Sequence, residues 1–277
     1  MQRMNKAAIL AAVATAALLM SASAAEARTR HVSGALAGQR GAVAGSATVT
    51  RGHGFRNRDA TITGANGRQR TVEDARTWDR RAGTYSHDRE VTHADGTTRT
   101  VDVDAQRTAP GQYSVERAVT GRNGETRSQS GDFSVLRTEN GRSVTGDINT
   151  QNHGQIDYSR EVSHENGVRS ADASATFEDG TSISRASTAS CGGGSCSSTG
   201  TITNRKGGET TWRHTRTRDG NDVTVERDVV FADGTTRSVD RERDGNGDGT
   251  GTITRTAVDR QGETHTQTGT YVITRGP

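Results

Sequence analysis

Leucine has all but gone from this chain once its first 27 residues are set aside: only Leu36 and Leu136 remain. With four Tyr, four Phe and two Trp in 277 residues, the side chains that usually fill a deep core are missing, and the composition comes close to that of disordered chains. The high net charge that completes the disorder signature is missing too, because 36 Lys and Arg stand against 33 Asp and Glu, a formal charge of +3. Those charges are interspersed, and Lys206 is the only lysine beyond residue 27. A segregated basic face of the kind nucleic acid needs is absent, so nucleic acid is not an expected partner. Pro110 and Pro277 are the only prolines, and Pro110 directly precedes a turn glycine, Gly111, where a lost N–H does little harm. After the amino-terminal run, no stretch approaches the ~20 apolar residues that a spanning helix needs. There is no Cys-x-x-Cys spacing, no phosphate-cradling Gly-Lys loop, and no repeated Ser/His/Asp, Cys/His or paired-carboxylate arrangement. No cleft is marked out for chemistry, and an enzyme is not expected.

What is present is a hairpin written many times. Residues 88–102 (DREVTHADGTTRTVD) recur as residues 226–240 (ERDVVFADGTTRSVD) with ten of fifteen positions identical. Each copy reads strand, Asp-Gly turn, strand, and Asp-Gly or Asn-Gly between Val/Thr/Arg segments is the strongest short-range hairpin signal. The same punctuation occurs at Asn66-Gly67, Asp95-Gly96, Asn123-Gly124, Asn166-Gly167, Asp179-Gly180 and Asp233-Gly234. One series of turn glycines (Gly67, Gly96, Gly124, Gly154, Gly180, Gly208, Gly234, Gly262) repeats about every 28 residues, and a second (Gly83, Gly111, Gly141, Gly167, Gly194, Gly220, Gly247) falls near its midpoints. The unit is therefore two strands and two turns.

The chain divides into three parts. Residues 1–27 carry Arg3 and Lys6, an apolar run over 7–20, and small residues offering cleavage after Ala24 or Ala27, the pattern of a secretory signal peptide. Residues 28–54 are rich in Gly, Ala and Ser without alternation and read as a flexible leader. Residues 55–277 form the repeat domain. Two-residue turns join antiparallel neighbours, so the expected fold is all-β, an antiparallel hairpin meander of about 16 strands, with a β-solenoid of about 28-residue coils as the alternative.

Strand faces alternate. Tyr113, Val115, Arg117 and Val119 share one face, as do Ile156, Tyr158, Arg160 and Val162, and Val223, Val225, Arg227, Val229 and Phe231; the opposite faces carry Thr, Ser, Asp and Glu. Cross-strand pairs of Arg with Asp or Glu are the expected glue, at roughly 0.2–1 kcal/mol each. An outer-membrane barrel is a further alternative, against which stand Arg117, Arg160 and Arg227 in the middle of the best apolar rows, since Arg facing lipid at the midplane costs about 2–4 kcal/mol.

Cys191 and Cys196 frame Gly-Gly-Gly-Ser, and in an exported chain they read as a disulfide closing a small loop. Asp244, Asn246 and Asp248, with Gly249, match the opening of an EF-hand calcium loop. Position twelve is Arg255 where that motif has Glu, so calcium is a candidate ligand beside the plain reading of a polar turn, and no other cofactor is indicated. His87, His93, His164 and His214 read as solvated strand residues.

The Gly-punctuated Thr/Arg strands resemble secreted bacterial repeat proteins of the Rhs/YD kind, although the Tyr-Asp signature is missing and Asp157-Tyr158 is its reverse. The template Val-Thr-Gly-x-Asn-Gly, as in residues 119–124, is more similar to exported Gram-negative repeat proteins without an assigned activity. That resemblance covers most of the exported part and implies no functional residues. The expected role is structural or adhesive, in the cell envelope or extracellular matrix. A periplasmic module binding polysaccharide or another anionic polymer through Arg rows, with Trp78 and Trp212 lining a groove, is the alternative. Self-association through edge strands and envelope polysaccharide are the candidate partnerships, and the location is the cell surface, the medium or the periplasm.

Overall fold

The computed structural model describes residues 27–38 and 41–275, so the signal-peptide reading of residues 1–27 lies, but for Ala27, outside the described residues. Eighteen strands follow one another: β1 (Arg28–Gly38), β2 (Gly41–Gly52), β3 (Phe55–Thr63), β4 (Gln69–Asp79), β5 (Thr84–Thr92), β6 (Thr98–Ala109), β7 (Gln112–Thr120), β8 (Thr126–Thr138) and β9 (Gly141–Thr150). The second half comprises β10 (Gly154–Glu165), β11 (Val168–Phe177), β12 (Ser182–Gly192), β13 (Ser195–Thr203), β14 (Glu209–Asp219), β15 (Asp222–Val230), β16 (Thr236–Gly245), β17 (Thr250–Val258) and β18 (Thr264–Arg275). Each pairs antiparallel with the next, and β1 pairs with β18 from Arg30–Arg275 to Gly38–Gln267. The hairpin meander is as expected, but it is closed. It is one 18-stranded barrel rather than an open sheet of about 16 strands or a solenoid.

Both corrections have one cause. The 28–54 segment, expected as a flexible leader, supplies β1 and β2; β1 meets β18 and so closes the sheet, and β2 joins β1 to β3. Gly, Ala and Ser have weak strand preference, but a strand hydrogen-bonded on both sides is held by its neighbours more than by propensity. Closure also removes the sheet edges on which assembly through edge strands depended.

The turns differ in detail from two-residue hairpins with both central φ values positive. Among the described residues, Asn166 (φ 50°) with Gly167 (φ 77°) and Gly193 (φ 55°) with Gly194 (φ 81°) are the two such pairs. At Asp95-Gly96 only the glycine is left-handed; Gly96 N–H donates to the His93 carbonyl at 2.9 Å, and His93 N–H to the Thr97 carbonyl at 2.8 Å. That is a type I turn closed by a left-handed glycine. The turns at Gly124, Gly180 and Gly234 repeat it.

Curvature crowds side chains on the concave face of a closed sheet and splays them on the convex face. The crowded row is therefore the lumenal one. It contains the buried cluster Tyr85, Val103, Val115, Phe133, Val144, Ile148, Ile156, Tyr158 and Phe177 along β5–β11, with Val103 and Val115 only 1 % exposed. Rings lie flat along this wall over glycines. Phe133 and Tyr158, 6.1 Å apart edge-to-face, flank Gly146, where a Cβ would fall 2.6 Å from the Phe133 ring.

Every strand arginine with a described side chain points to the lumen except Arg213, and every strand carboxylate points outward except Asp74. The expected Arg–Asp and Arg–Glu pairs are accordingly rare. Like faces like instead: Asp132, Asp147 and Asp157 stand opposite one another across β8–β10, Asp88 faces Asp102, and Asp104 faces Glu116. Inside, Arg137 faces Arg142 and Arg241 faces Arg255. Directly opposed like charges destabilise a sheet, and the Debye length shrinks from ~10 Å at 0.1 M salt to ~3 Å at 1 M. Raising NaCl over that range should therefore raise the melting temperature; a melting temperature that falls with salt would mean that attraction between the two faces outweighs repulsion within each.

Candidate functional site

The lumenal wall is where the chain concentrates unusual chemistry. Asp74, the one inward strand carboxylate, is buried between Arg76, which donates from Nε at 3.0 Å, and His87, whose Nε2 lies 3.1 Å away. Burial pushes its carboxyl upward, but the hydrogen bonds from His87 and Arg76 outweigh this and hold it well below the usual carboxylate range. His87 is thus tied into an ion-paired group and is not a solvated strand residue. Across the wall, Arg117 is 8 % exposed, with Nη1 donating to Gln129 at 3.1 Å and Nε buried without a partner. His214 is lowered by burial and by Arg227 and Arg216, so this part of the wall favours an uncharged ring.

The odd-to-even turns form one rim, and three of them carry a repeated clasp. Asp95 accepts the Thr97 N–H at 3.1 Å and its hydroxyl at 2.6 Å through Oδ1. Its Oδ2 meets Arg122 of the next turn on that rim, while Arg122 Nε donates to Thr97 Oγ1 at 2.9 Å. Asp179, Thr181 and Arg205 repeat the arrangement, as do Asp233, Thr235 and Arg260. Arg205 and Arg260 also stack 4.1 Å over Phe177 and Phe231, the residues that open the clasped turns. The sequence reading found these Asp-Gly pairs as turns and missed the clasps. Their signal was arginine at the second position of the following turn on that rim, as in Gly-Arg-Asn-Gly at 121–124 and Asp-Arg-Gln-Gly at 259–262.

Inside this rim, Phe231, Arg237, Arg255, His265 and Gln267 line a cavity of about 450 Å³. Beside it, one ligand atom each from Asp259, Glu263 and His265 lies within 4.8 Å of the others. The calcium candidate lies at the opposite rim, in the β16–β17 turn. There Asp248 Oδ1 accepts the Thr250 N–H at 2.8 Å and hydroxyl at 2.6 Å, Asn246 donates to Thr250 Oγ1 at 3.0 Å, and Asp244 accepts from Thr252 at 3.3 Å. These are the bonds of another Asp-Gly-Thr turn. Cys191 and Cys196 face each other at the end of the β12–β13 hairpin and are disulfide-bonded. Trp78 and Trp212 both point inward, but from β4 and β14. Trp78 packs on the buried cluster, and Trp212 lies under Arg185 at 5.4 Å, so no shared aromatic groove forms.

No protein-family model matches the chain, and no curated protein does. Solved structures do. A variant of the Rhodopseudomonas blastica porin superposes with a TM-score of 0.55 at 9% identity, covering 90% of this chain and 99% of the porin. OccK2 (OpdF) of Pseudomonas aeruginosa in complex with glucuronate gives 0.53 at 7% identity over 90% and 97%. The outer membrane protein OpdK of the same organism gives 0.50 at 9% over 91% and 99%. At such identities the likeness is one of fold. The chain has the closed barrel architecture of these proteins, which favours the barrel alternative over an open structural or adhesive surface.

The outward face sets this barrel apart. A membrane barrel needs an outward apolar band about 25 Å tall with aromatic girdles, whereas Asp102, Asp104, Glu116, Asp132, Asp147 and Asp157 stand on the outside of β6–β10. The objection raised from sequence changes sides: Arg117, Arg160 and Arg227 line the lumen, and it is the carboxylates that would meet lipid.

The clasp carries a pH signature. The Thr97 hydroxyl and amide, with a smaller contribution from Arg122, hold the Asp95 carboxyl at about 2. Because the folded value lies below the unfolded one of about 4, the clasp contributes fully above pH ~4 and is lost as the pH falls through about 2. Hydrogen exchange at the Thr97 amide should lose protection across that window in the native protein and lack it at neutral pH in Asp95→Ala. Protection that persists in the variant would show that the carboxylate does not hold the turn.

Proposed function

We propose that this is an exported, non-enzymatic barrel of the Gram-negative envelope whose arginine-lined lumen binds anionic solutes, with its outer wall in water. The observation that carries this reading is the partition of charge: strand arginines turn inward apart from Arg213, and strand carboxylates turn outward apart from Asp74. Barrels of 16–18 strands are wide enough to hold an aqueous interior. Guanidinium forks match carboxylates and phosphates bidentately, so the lumen selects anions by charge and by geometry. The porin fold supports a barrel of the envelope, and the glucuronate named with OccK2 is an anion of the class that these arginines would take.

Two measurements test it. Calorimetric titration of the mature barrel should show binding of glucuronate that weakens with salt and no binding of glucose. Equal behaviour of the two sugars would remove the arginines from the account. The mature chain should also refold in buffer without detergent. A strict detergent requirement would place the carboxylate face in a membrane and overturn the assignment of the outer wall to water.

A further inference from the structure

At the rim that carries the chain ends, four arginines stand in one row across four neighbouring strands. Arg28 on β1 faces Arg51 on β2, Arg51 faces Arg56 on β3, and Arg56 faces Arg76 on β4. All four share the lumenal face, and strands lie ~4.8 Å apart, so the guanidinium stems repeat at that interval along the inside of the mouth. Of these four, only Arg76 has a carboxylate partner among the described residues, Asp74 at 3.0 Å. Arg56 is half-buried, and its Nε is enclosed without any hydrogen-bond partner. Burial and the neighbouring Arg51 and Arg76 depress its pKa. Arg28 and Arg51 are exposed. Trp78 lies on the same face of β4, one inward position beyond Arg76 towards the rim, and pairs with Tyr85.

A row of directly opposed cations destabilises the sheet that holds it, and here nothing in the wall beyond Asp74 offsets it. A negative chain laid across the row would do so, by supplying one anion to each fork. We infer that Arg28, Arg51, Arg56 and Arg76 form a docking ladder for a linear acidic polysaccharide, one carboxylate per sugar, at the mouth of the barrel. This rests on the anion-binding reading of the lumen and names its polymer and point of entry. Carboxylates are bound end-on or side-on by planar guanidinium forks, and neighbouring contacts on one chain reinforce each other because the second binds intramolecularly.

The test uses galacturonic acid and its dimer, trimer and tetramer against the mature barrel. Affinity should climb with length up to the tetramer. The Arg51→Gln/Arg56→Gln double variant should flatten that climb and bind the tetramer roughly a hundredfold more weakly, about tenfold per fork removed, while Arg213→Gln, on the outer wall, should match the native protein. Melting supplies the second readout: removing opposed cations should raise the melting temperature of the double variant. Native-like tetramer binding by the double variant would overturn the ladder while leaving the lumen reading intact. A drop in melting temperature with unchanged affinity would make the arginines structural. Absence of binding for every uronate, monomer included, would overturn both.

Discussion

Register governs everything else in this molecule. Along each strand, acid or hydroxyl alternates with arginine or apolar residue, and a one-residue slip in any ladder would turn that strand's whole set of side chains to the other face. The pairing of β1 with β18, with Gly34 opposite Tyr271 and Leu36 opposite Gly269, fixes the last register and makes the partition continuous around the wall. Glycine opposite an aromatic ring is part of how register is kept. At Gly200 an added Cβ would come within 2.7 Å of Trp212, and at Gly251 within 2.7 Å of Tyr271, so these rings have one place to lie. A barrel poor in leucine can hold together in this way, because each strand is laddered on both sides, with one irregularity at Arg107/Ala109, and the apolar contacts are spent on neighbours along the wall.

The hairpins were legible because their information is local. Asp95-Gly96-Thr97 and Asp233-Gly234-Thr235 carry their own turn chemistry, and Cys191 and Cys196 needed only an exported setting and a short loop. The glycine series was legible with small errors: Gly207 takes the left-handed conformation where Gly208 was expected, and Gly141 begins a strand. Closure was not legible, since it depends on residues 28–54, whose Gly/Ala/Ser composition has no alternation to read. The strand state of β1 depends on β18, more than 200 residues away, and that of β2 on β1 and β3. The faces were read correctly as modestly apolar against wet. Which of them lies inside a closed sheet is a property of curvature, and no single strand contains it.

The expectation of Arg–Asp pairs failed for an instructive reason. In Asp88-Arg89-Glu90 the unlike charges are neighbours in sequence, so they point to opposite faces; across the ladders Asp88 meets Asp102 and Glu90 meets Glu73, while Arg89 stands between Val101 and Asp74, the one inward strand carboxylate. Asp88 faces Asp102, and its carboxyl is pushed upward by burial and by Asp102 and Asp104. Opposite charges do meet where the chain leaves the alternation, in the turns, as with Arg122 and Asp95. Apart from the Asp74 group in the wall, attraction is thus concentrated at one rim, while the walls carry repulsion of one sign inside and the other sign outside.

The porin likeness and the polar exterior are compatible for a physical reason. A closed antiparallel sheet satisfies its backbone groups internally, which is the property that lets a barrel sit in hydrocarbon, and that property does not depend on what surrounds it. The medium is chosen by the outward row alone. In this chain that row is mostly Thr, Ser, Asp and Glu, with Leu136, Val168, Val230 and Val272 scattered among them, so the backbone solution used by membrane barrels is kept and the side chains are largely reversed. The reversal also bears on the interior. Because the apolar residues are lumenal and interleaved with arginines, a long stem such as that of Arg160 can lie along Val144 across the ladder while its head remains available to a ligand, whereas Arg117, opposite Val103, is itself buried. An amphipathic lumen of that kind suits molecules that are themselves flat and apolar on one face and anionic at the edge, which is the chemistry of a sugar acid.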